Sequence, residues 1–372
     1  MRIERVEVRA VAPQMQRYTW SHDLPEQYTT NTIVRIYTDS GVEGVGGVSN
    51  YTSHDYDRYT AETLRHLIPT LVGEDPLQRE VIWKKLWSRV FPLSPGALAA
   101  IDIALWDLLG KLANVPLYQL LGGACDRIPA YASTPLLDDV TSYLRLVDEM
   151  LEQGFRAIKF HCWCLPEKDL ELARAVRREH SAQEVALMLD AENNYDWPGA
   201  LKVARELEEL EFTWLEAPLM DYDLEGYRKL TRRVDIAIVP SGHWIQDLPA
   251  YAQALRRECW SRARTDVTVC GGFTPARKYL ALVEAEGMKC EIMSWGNTLV
   301  SAANLHLMLG LGTSTYFEQS IPYEPYEYGM QDVIRTDPDG YVAAPQGPGL
   351  GVEVDWKAME AASLHVLDTG SM

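Results

Sequence analysis

The chain has 372 residues, which is too long for a single compact core, so we expect two domains. Its formal net charge of −18 argues against a nucleic-acid partner, and no apolar run is long enough to span a bilayer. The N-terminus alternates like a strand rather than a signal peptide, and six cysteines lack a paired framework, so we expect a cytoplasmic protein.

The first unit, residues 1–125, is predicted to be an α+β domain. Alternation of apolar and polar residues predicts strands at residues 3–11, 32–38 and 42–48, with a turn at residues 39–41. Helical periodicity follows at residues 57–71, 77–90 and 95–113. Two polar stretches without periodicity, residues 14–30 and 49–57, are predicted to be loops; a loop as long as residues 14–30 is usually functional or disordered.

The second unit, residues 126–340, alternates between strand and helix patterns and is predicted to be a parallel barrel with right-handed crossovers. Candidate strands lie at residues 130–133, 157–160, 186–190, 213–216, 237–240, 267–269, 290–293 and 316–318. The last segment, residues 341–372, contains a turn-rich Gly-Pro-Gly-Leu-Gly run and no strand–helix unit. We expect it to pack back on the first domain.

The strand that begins at residue 157 ends in Lys159-Phe160-His161. Residues two apart in a strand share a face, so Lys159 and His161 are predicted to project together into the barrel mouth. Two solvated polar residues at a strand end would give the same triplet. A charge that faces a cavity is also expected to add little to the stability of the core.

Three further strand ends carry potential metal ligands, because polar residues at the carboxyl ends of barrel strands typically form the active site. Asp190 and Glu216 end the third and fourth strands, and His243 follows the fifth. Together they predict one divalent-cation site. Oxygen ligands suit Mg²⁺, whereas an imidazole ligand shifts the preference toward Mn²⁺, iron or zinc.

Two more acids are predicted to lie at or just beneath the same cavity. Asp266 opens the predicted sixth strand, and Glu318 ends the eighth. A structural role for either carboxylate is as consistent with the sequence as a catalytic one.

The chain resembles the mandelate racemase subgroup of the enolase superfamily over essentially its whole length. The signature is carried by Ala-Ala-Ile-Asp-Ile-Ala-Leu-Trp-Asp-Leu-Leu-Gly-Lys at residues 99–111, Pro-Leu at 116–117, Leu-Gly-Gly at 121–123 and Pro-Gly-Leu-Gly-Val-Glu-Val-Asp at 348–355. The order and spacing of Lys159, Asp190, Glu216, Asp266 and Glu318 also match.

This resemblance implies an α/β fold, a modified (β/α)7β TIM barrel with an α+β N-terminal capping domain. It implies a divalent metal, Mg²⁺ or Mn²⁺, that binds a substrate carboxylate, and a base that removes the proton α to that carboxylate. Lys159 would help to hold the resulting enediolate, and the capping loops would select the substrate. The partner would be a small-molecule carboxylate, with no nucleic acid or membrane, and we expect a homo-oligomer.

Four positions depart from the family pattern. His161 stands where a second Lys is usual, His243 where the third metal ligand is usually Glu, and Glu192 where Asn is usual. The seventh-strand His of the subgroup is Met293, before Ser-Trp-Gly. His243 could replace the Glu directly, or a deletion could have moved it there.

The departures favour dehydration over racemisation. A racemase needs proton donors on both faces of the substrate, whereas a syn β-elimination needs only one group, here His161. Lys159 and the metal are expected to lower the pKa of His161 and keep its imidazole neutral. The capping loops are rich in hydrogen-bonding groups, which suits an acid sugar, and the predicted substrate-binding residues are His22, Asn50, Tyr51, His54 and Trp295.

Two alternatives remain open from the sequence. An epimerase, racemase or cycloisomerase of the same fold could use His22 or His54 as the proton donor on the opposite face. A degenerate, non-catalytic barrel would explain Met293 and His243, although Lys159, His161, Asp190 and Glu216 argue against it.

Overall fold

A four-stranded antiparallel sheet covers one end of the protein in the computed structural model, which describes residues 1–54, 57–90 and 95–371. The strands are β1 (Ile3–Val11), β2 (Tyr28–Thr38), β3 (Glu43–Thr52) and β11 (Ser363–Asp368), in the order β11-β1-β2-β3. The chain therefore returns to its first strand at its end, because β11 pairs with β1.

The helices that follow β3 complete the first unit. They are α1 (Tyr59–Thr63), a 3₁₀ turn (Ile68–Thr70), α2 (Arg79–Val90), α3 (Pro95–Ala113) and α4 (Leu117–Leu121). Of these, α3 packs directly on the four-stranded sheet. The sheet approaches α3 so closely that a Cβ atom at Gly44 or Gly46 would collide with the α3 backbone. The predicted helix at residues 57–71 is broken into two short elements, because Pro69 lacks the N–H of a continuous helix.

The barrel strands run parallel to one another. They are β4 (Arg127–Ser133), β5 (Ala157–His161), β6 (Ala186–Asp190), β7 (Trp214–Glu216), β8 (Ala237–Val239) and β9 (Phe317–Ser320), and β9 pairs with β4. A short strand, β10 (Tyr341–Ala343), adds to β4 in the antiparallel direction. The predicted α/β architecture is confirmed.

The helices between and after these strands complete the second unit. They are α5 (Val140–Glu152), α6 (Pro166–Glu179), α7 (Trp197–Glu209), α8 (Leu224–Thr231), α9 (Leu248–Arg256), α10 (Phe273–Ala285), α11 (Thr298–Leu311), α12 (Glu324–Glu327) and α13 (Trp356–Ala361). Among the described residues, every helix is too short or too polar to cross a lipid bilayer.

The structure corrects further local predictions, and of the predicted seventh strand at residues 290–293 only Cys290 forms a β-bridge. Residues 267–269 form a turn, and the sixth barrel position is an extended segment around Ala263, bridged in parallel to Cys290. Asp266 therefore follows this segment instead of opening a strand. The tail contains α13 and β11, although no such unit was predicted. The predicted loop at residues 49–57 is strand as far as Thr52, and its residues 55–56 lie outside the described chain.

Asp107 of α3 joins three parts of the fold. Its buried carboxylate accepts hydrogen bonds from the backbone N–H groups of Val45 in β3 and Leu350 in the tail, both at 2.8 Å. Lys111, one turn further along α3, lies 2.7 Å from the same carboxylate. The acids of the signature helix thus serve the packing of the fold.

Replacing Asp107 with Ala should destabilise the protein by about 2–4 kcal/mol, because two backbone N–H groups would lose their acceptor in the interior. Urea unfolding would measure this loss. The exposed Asp138 is a matched control, and its replacement with Ala should change the stability by no more than about 0.5 kcal/mol. Equal effects of the two substitutions would contradict the role given to Asp107.

Candidate active site

A cavity of about 410 Å³ lies between the carboxyl ends of the barrel strands and β3 of the capping sheet. The predicted site residues that line it are Lys159, His161, Asp190, Glu216, His243, Asp266, Glu318, Asn50, Tyr51 and Trp295. Catalytic groups are expected at this end of a parallel barrel. The structure therefore brings most of the predicted residues to one place.

Lys159 lies at the centre of a buried carboxylate cluster. Its ammonium is 2.8 Å from Glu216, 2.9 Å from Glu318 and 3.1 Å from Asp190. Although burial lowers the pKa of Lys159, the carboxylates of Glu216 and Glu318 outweigh this effect and raise the pKa well above its usual value. Lys159 is therefore a permanent cation.

His161 projects from the same face of β5, as predicted. Its Nδ1–H donates a hydrogen bond to the Thr134 carbonyl at 2.5 Å, so Nε2 is the nitrogen that faces the cavity. Nε2 lies 3.4 Å from Asp190 and 3.2 Å from Glu192. The ring is thus oriented by the backbone and presents one nitrogen to the carboxylates.

The sequence predicts a lowered pKa for His161, but the contacts in the structure shift this pKa in the opposite direction. Burial and Lys159 do lower the pKa, but the hydrogen bonds to Asp190 and Glu192 outweigh them and raise it to about 10. The sequence did not reveal that two carboxylates lie beside the ring.

A tight turn after β6 brings Asp190 and Glu192 together. The N–H of Glu192 donates to Oδ1 of Asp190 at 3.0 Å, and Glu192 adopts a left-handed conformation with φ of 47°. One ligand atom each from His161, Asp190 and Glu192 lies within 4.8 Å of the others. Two carboxylates and an imidazole at this spacing fit a divalent cation.

Arg264 is a site residue that the sequence analysis missed. It is fully buried, and its Nη2 lies 2.8 Å from Glu216 and 3.1 Å from Glu318. The available signal was its position two residues before Asp266 in an extended segment, which places both on one face. The pairing with two distant carboxylates could not be read from the sequence.

Three other predicted positions have different surroundings. His243 lines the cavity but is exposed, and Met293 is buried in the wall. Asp266 lines the cavity while its Oδ1 accepts hydrogen bonds from Thr268 Oγ1 at 2.5 Å and the Val269 N–H at 2.8 Å. Asp266 therefore also stabilises the turn that follows it.

The capping side of the cavity is aromatic. The Tyr51 and Trp295 rings lie 3.6 Å apart between centroids, and Trp20 packs edge-on at 4.3 Å from Trp295. His22 and His54 are exposed, and neither contributes to the cavity lining in the described part of the chain. The structure thus gives no support to substrate binding by these two histidines, whereas Asn50, Tyr51 and Trp295 line the cavity.

Family models match both units of the chain. Residues 6–122 match the N-terminal domain of mandelate racemase and muconate lactonizing enzyme, and residues 142–358 match the enolase C-terminal domain-like family. The chain belongs to the mandelate racemase/muconate lactonizing enzyme subgroup of the enolase superfamily. The capping domain and modified TIM barrel are those of this superfamily.

Known members of the superfamily span several reactions. A 3,6-anhydro-alpha-L-galactonate cycloisomerase from Streptomyces coelicolor is 32% identical over 334 residues, covering 88% of this chain and 89% of the relative. A solved structure from Pseudovibrio sp., described as of mandelate racemase/muconate lactonizing enzyme type, is 40% identical with a TM-score of 0.95, covering 99% of this chain and 98% of that chain.

A second solved structure contains a metal. The D-glucarate dehydratase of Agrobacterium tumefaciens, complexed with magnesium, is 30% identical with a TM-score of 0.82, covering 98% of this chain and 100% of that chain. Because the relatives include dehydratases, cycloisomerases and racemases, the comparisons support an enzyme of enolase-superfamily, acid-sugar-related chemistry.

The contacts of Lys159 overturn the expectation that it adds little to stability. Replacing Lys159 with Met should destabilise the enolase-like barrel by about 3–5 kcal/mol, because three buried carboxylates would lose a shared cation. Thermal and urea unfolding would measure the effect. The half-exposed Lys229 of α8 is the matched control, and its change to Met should cost no more than about 0.5 kcal/mol. An unaltered stability of Lys159→Met would show that the carboxylates do not depend on this ammonium.

Proposed function

We propose that the protein removes the proton α to the carboxylate of an acid sugar and dehydrates it in a syn β-elimination to a 2-keto-3-deoxy acid. One observation carries this proposal: His161 is oriented toward the cavity, with Nδ1–H held by the Thr134 carbonyl and Nε2 beside Asp190 and Glu192. A cation held by these carboxylates would weaken their hold on the Nε2 proton, so that this nitrogen can accept the α proton. This single group can serve both proton transfers of the reaction.

The roles of the other residues follow from their positions. Lys159 presents a permanent positive charge to the place where negative charge develops on the substrate carboxylate. When bound, a divalent cation such as Mg²⁺ or Mn²⁺ would supply further positive charge for the enediolate. Asp190, Glu216 and His243 are the ligands predicted from the sequence, and the carboxylate of Glu192, in the turn next to Asp190, could also hold the cation.

The part of the cavity wall that contains Met293 supports proton transfer on only one face of the substrate. A thioether neither accepts nor donates a proton at neutral pH, and Asp266 is engaged with Thr268 and Val269. His161 can take the α proton and return it to the departing 3-hydroxyl on the same side, so that water leaves and no base is consumed. Racemisation would need a second acid, and among the described residues the position of Met293 does not supply an imidazole.

His161→Asn should abolish both exchange of the α proton with solvent and product formation, because both steps need the same nitrogen. The measurement is α-proton exchange in D₂O, followed by NMR, across a library of acid sugars, with detection of 2-keto-3-deoxy products. The exposed His66 provides a matched control, and His66→Asn should retain turnover. Exchange that persists in His161→Asn would assign the base elsewhere, and anti elimination would require a second acid.

A second candidate is a cycloisomerase acting on an anhydro sugar acid, and the aromatic wall favours it. The rings of Trp20, Tyr51 and Trp295 offer an apolar surface suited to the C–H face of a ring. The same base could expel a ring ether oxygen in place of a hydroxyl, which opens the ring by β-elimination. The cycloisomerase relative from Streptomyces coelicolor is consistent with this variant.

Mass spectrometry separates the two candidates, because dehydration removes one water from the substrate and ring opening leaves the mass unchanged. We expect kcat/KM to be higher for open-chain acid sugars than for anhydro acids if dehydration is the function. A reversed preference, with a product of unchanged mass, would establish the cycloisomerase instead.

A further inference from the structure

A second cavity, of about 170 Å³, lies at the junction between the capping domain and the barrel. It is bounded by the start of α2, by α3 and by the first turns of α10, and within the described chain it shares no lining residue with the active-site cavity. Two of its lining residues, Leu77 and Val81, have side chains about half exposed, so the cavity opens to solvent.

Arg79 of α2 and Arg277 of α10 bring two guanidinium groups to this cavity. Their Cζ atoms lie 4.5 Å and 4.8 Å from the ring centroid of the buried Trp106. An aromatic ring holds a guanidinium by stacking but accepts few of its N–H groups. Nε and Nη1 of Arg79 and Nε of Arg277 are buried and have no hydrogen-bond partner in the described chain. Buried donors without an acceptor are uncommon in a folded protein, and these three converge on one cavity.

The nearby carboxylates are engaged with other groups. Asp102 of α3 accepts hydrogen bonds from the N–H and the hydroxyl of Thr274, at 2.9 Å and 2.6 Å, at the start of α10. Glu80 lies 2.8 Å from Lys278 and only 3.7 Å from Arg277. Among the described residues, Arg79 has no ion-pair partner.

Burial lowers the pKa of Arg79, and the charge of Arg277 lowers this pKa further, although Asp102 and Glu80 raise it. An arginine nevertheless keeps its charge in a protein, so the two guanidinium groups are like charges held close together. Such an arrangement is unfavourable unless an anion compensates it.

The charge balance around the cavity is positive, although the chain as a whole has a net charge of −18. Arg79, Arg277 and Lys278 contribute three positive charges. Asp102 and Glu80 contribute two negative charges above pH 6, since burial raises the pKa of Asp102 to about 6. The surplus of one positive charge lies where the unpaired N–H groups are.

We propose that the junction is an oxyanion site, in which a phosphate or carboxylate group is bound by the guanidinium groups of Arg79 and Arg277. Planar guanidinium groups match both kinds of anion with paired N–H donors. Because Arg79 belongs to the capping domain and Arg277 to the barrel, the bound anion links the two units. This site goes beyond the proposed acid-sugar chemistry, which takes place in the other cavity.

Isothermal titration of the full-length protein at pH 8, with sodium phosphate and in parallel with sodium acetate at constant ionic strength, tests the site. Arg79→Gln and Arg277→Gln should each weaken anion binding tenfold or more, because each removes one of the two cations. The exposed Arg256 of α9 is the matched control, and Arg256→Gln should change the affinity less than about twofold. A response to only one salt would identify the class of anion. Binding of neither salt, or equal affinities in the three variants, would overturn the proposal.

Thermal unfolding in the same two salts guards against a variant that has merely lost its fold. A ligand that binds only the folded state raises its melting temperature, and phosphate also stabilises proteins in general by exclusion from their surface. The rise in phosphate over NaCl should therefore be larger in the unaltered protein and in Arg256→Gln than in Arg79→Gln. Arg79→Lys keeps the charge but loses the planar group, and should weaken binding threefold or more. Equal rises in all variants would contradict the site. No acid sugar is used, so this proposal and the proposed function can fail separately.

Discussion

The arrangement of side chains at the mouth of the barrel depends on the neutralisation of its buried carboxylates. Asp190, Glu216 and Glu318 are buried, and removing an ionised carboxylate from water costs several kcal/mol unless a partner compensates it. Lys159 touches all three, and Arg264 touches two of them. These five side chains come from five barrel positions, so their contacts hold the carboxyl ends of the strands in one arrangement.

This arrangement gives the cavity two unlike sides. The barrel side contains the charged groups and the oriented imidazole of His161, while the capping side contributes the rings of Trp20 and Tyr51 against Trp295. A substrate with a carboxylate at one end and a C–H-rich body at the other would match both sides. The return of β11 to the first sheet and the contacts of Asp107 hold the capping side in place.

The parts of the fold that depend on local pattern could be predicted from the sequence. The strand Ile3–Val11 and the strand Ala186–Asp190 occur at their predicted bounds, because alternation and short apolar runs are local signals. The sixth barrel position was misplaced because it contains Arg264, whose burial depends on Glu216 and Glu318, far away in the sequence. The side-chain directions of His22 and His54 could not be predicted either, since their loops have no periodicity.

The claim that Lys159 and Arg264 hold the buried carboxylates in one arrangement can be tested most directly by a crystal structure of Lys159→Met. The side chains of Asp190, Glu216 and Glu318 should move apart in this variant, because Arg264 contacts only two of them. Unchanged positions of all three carboxylates would contradict the account.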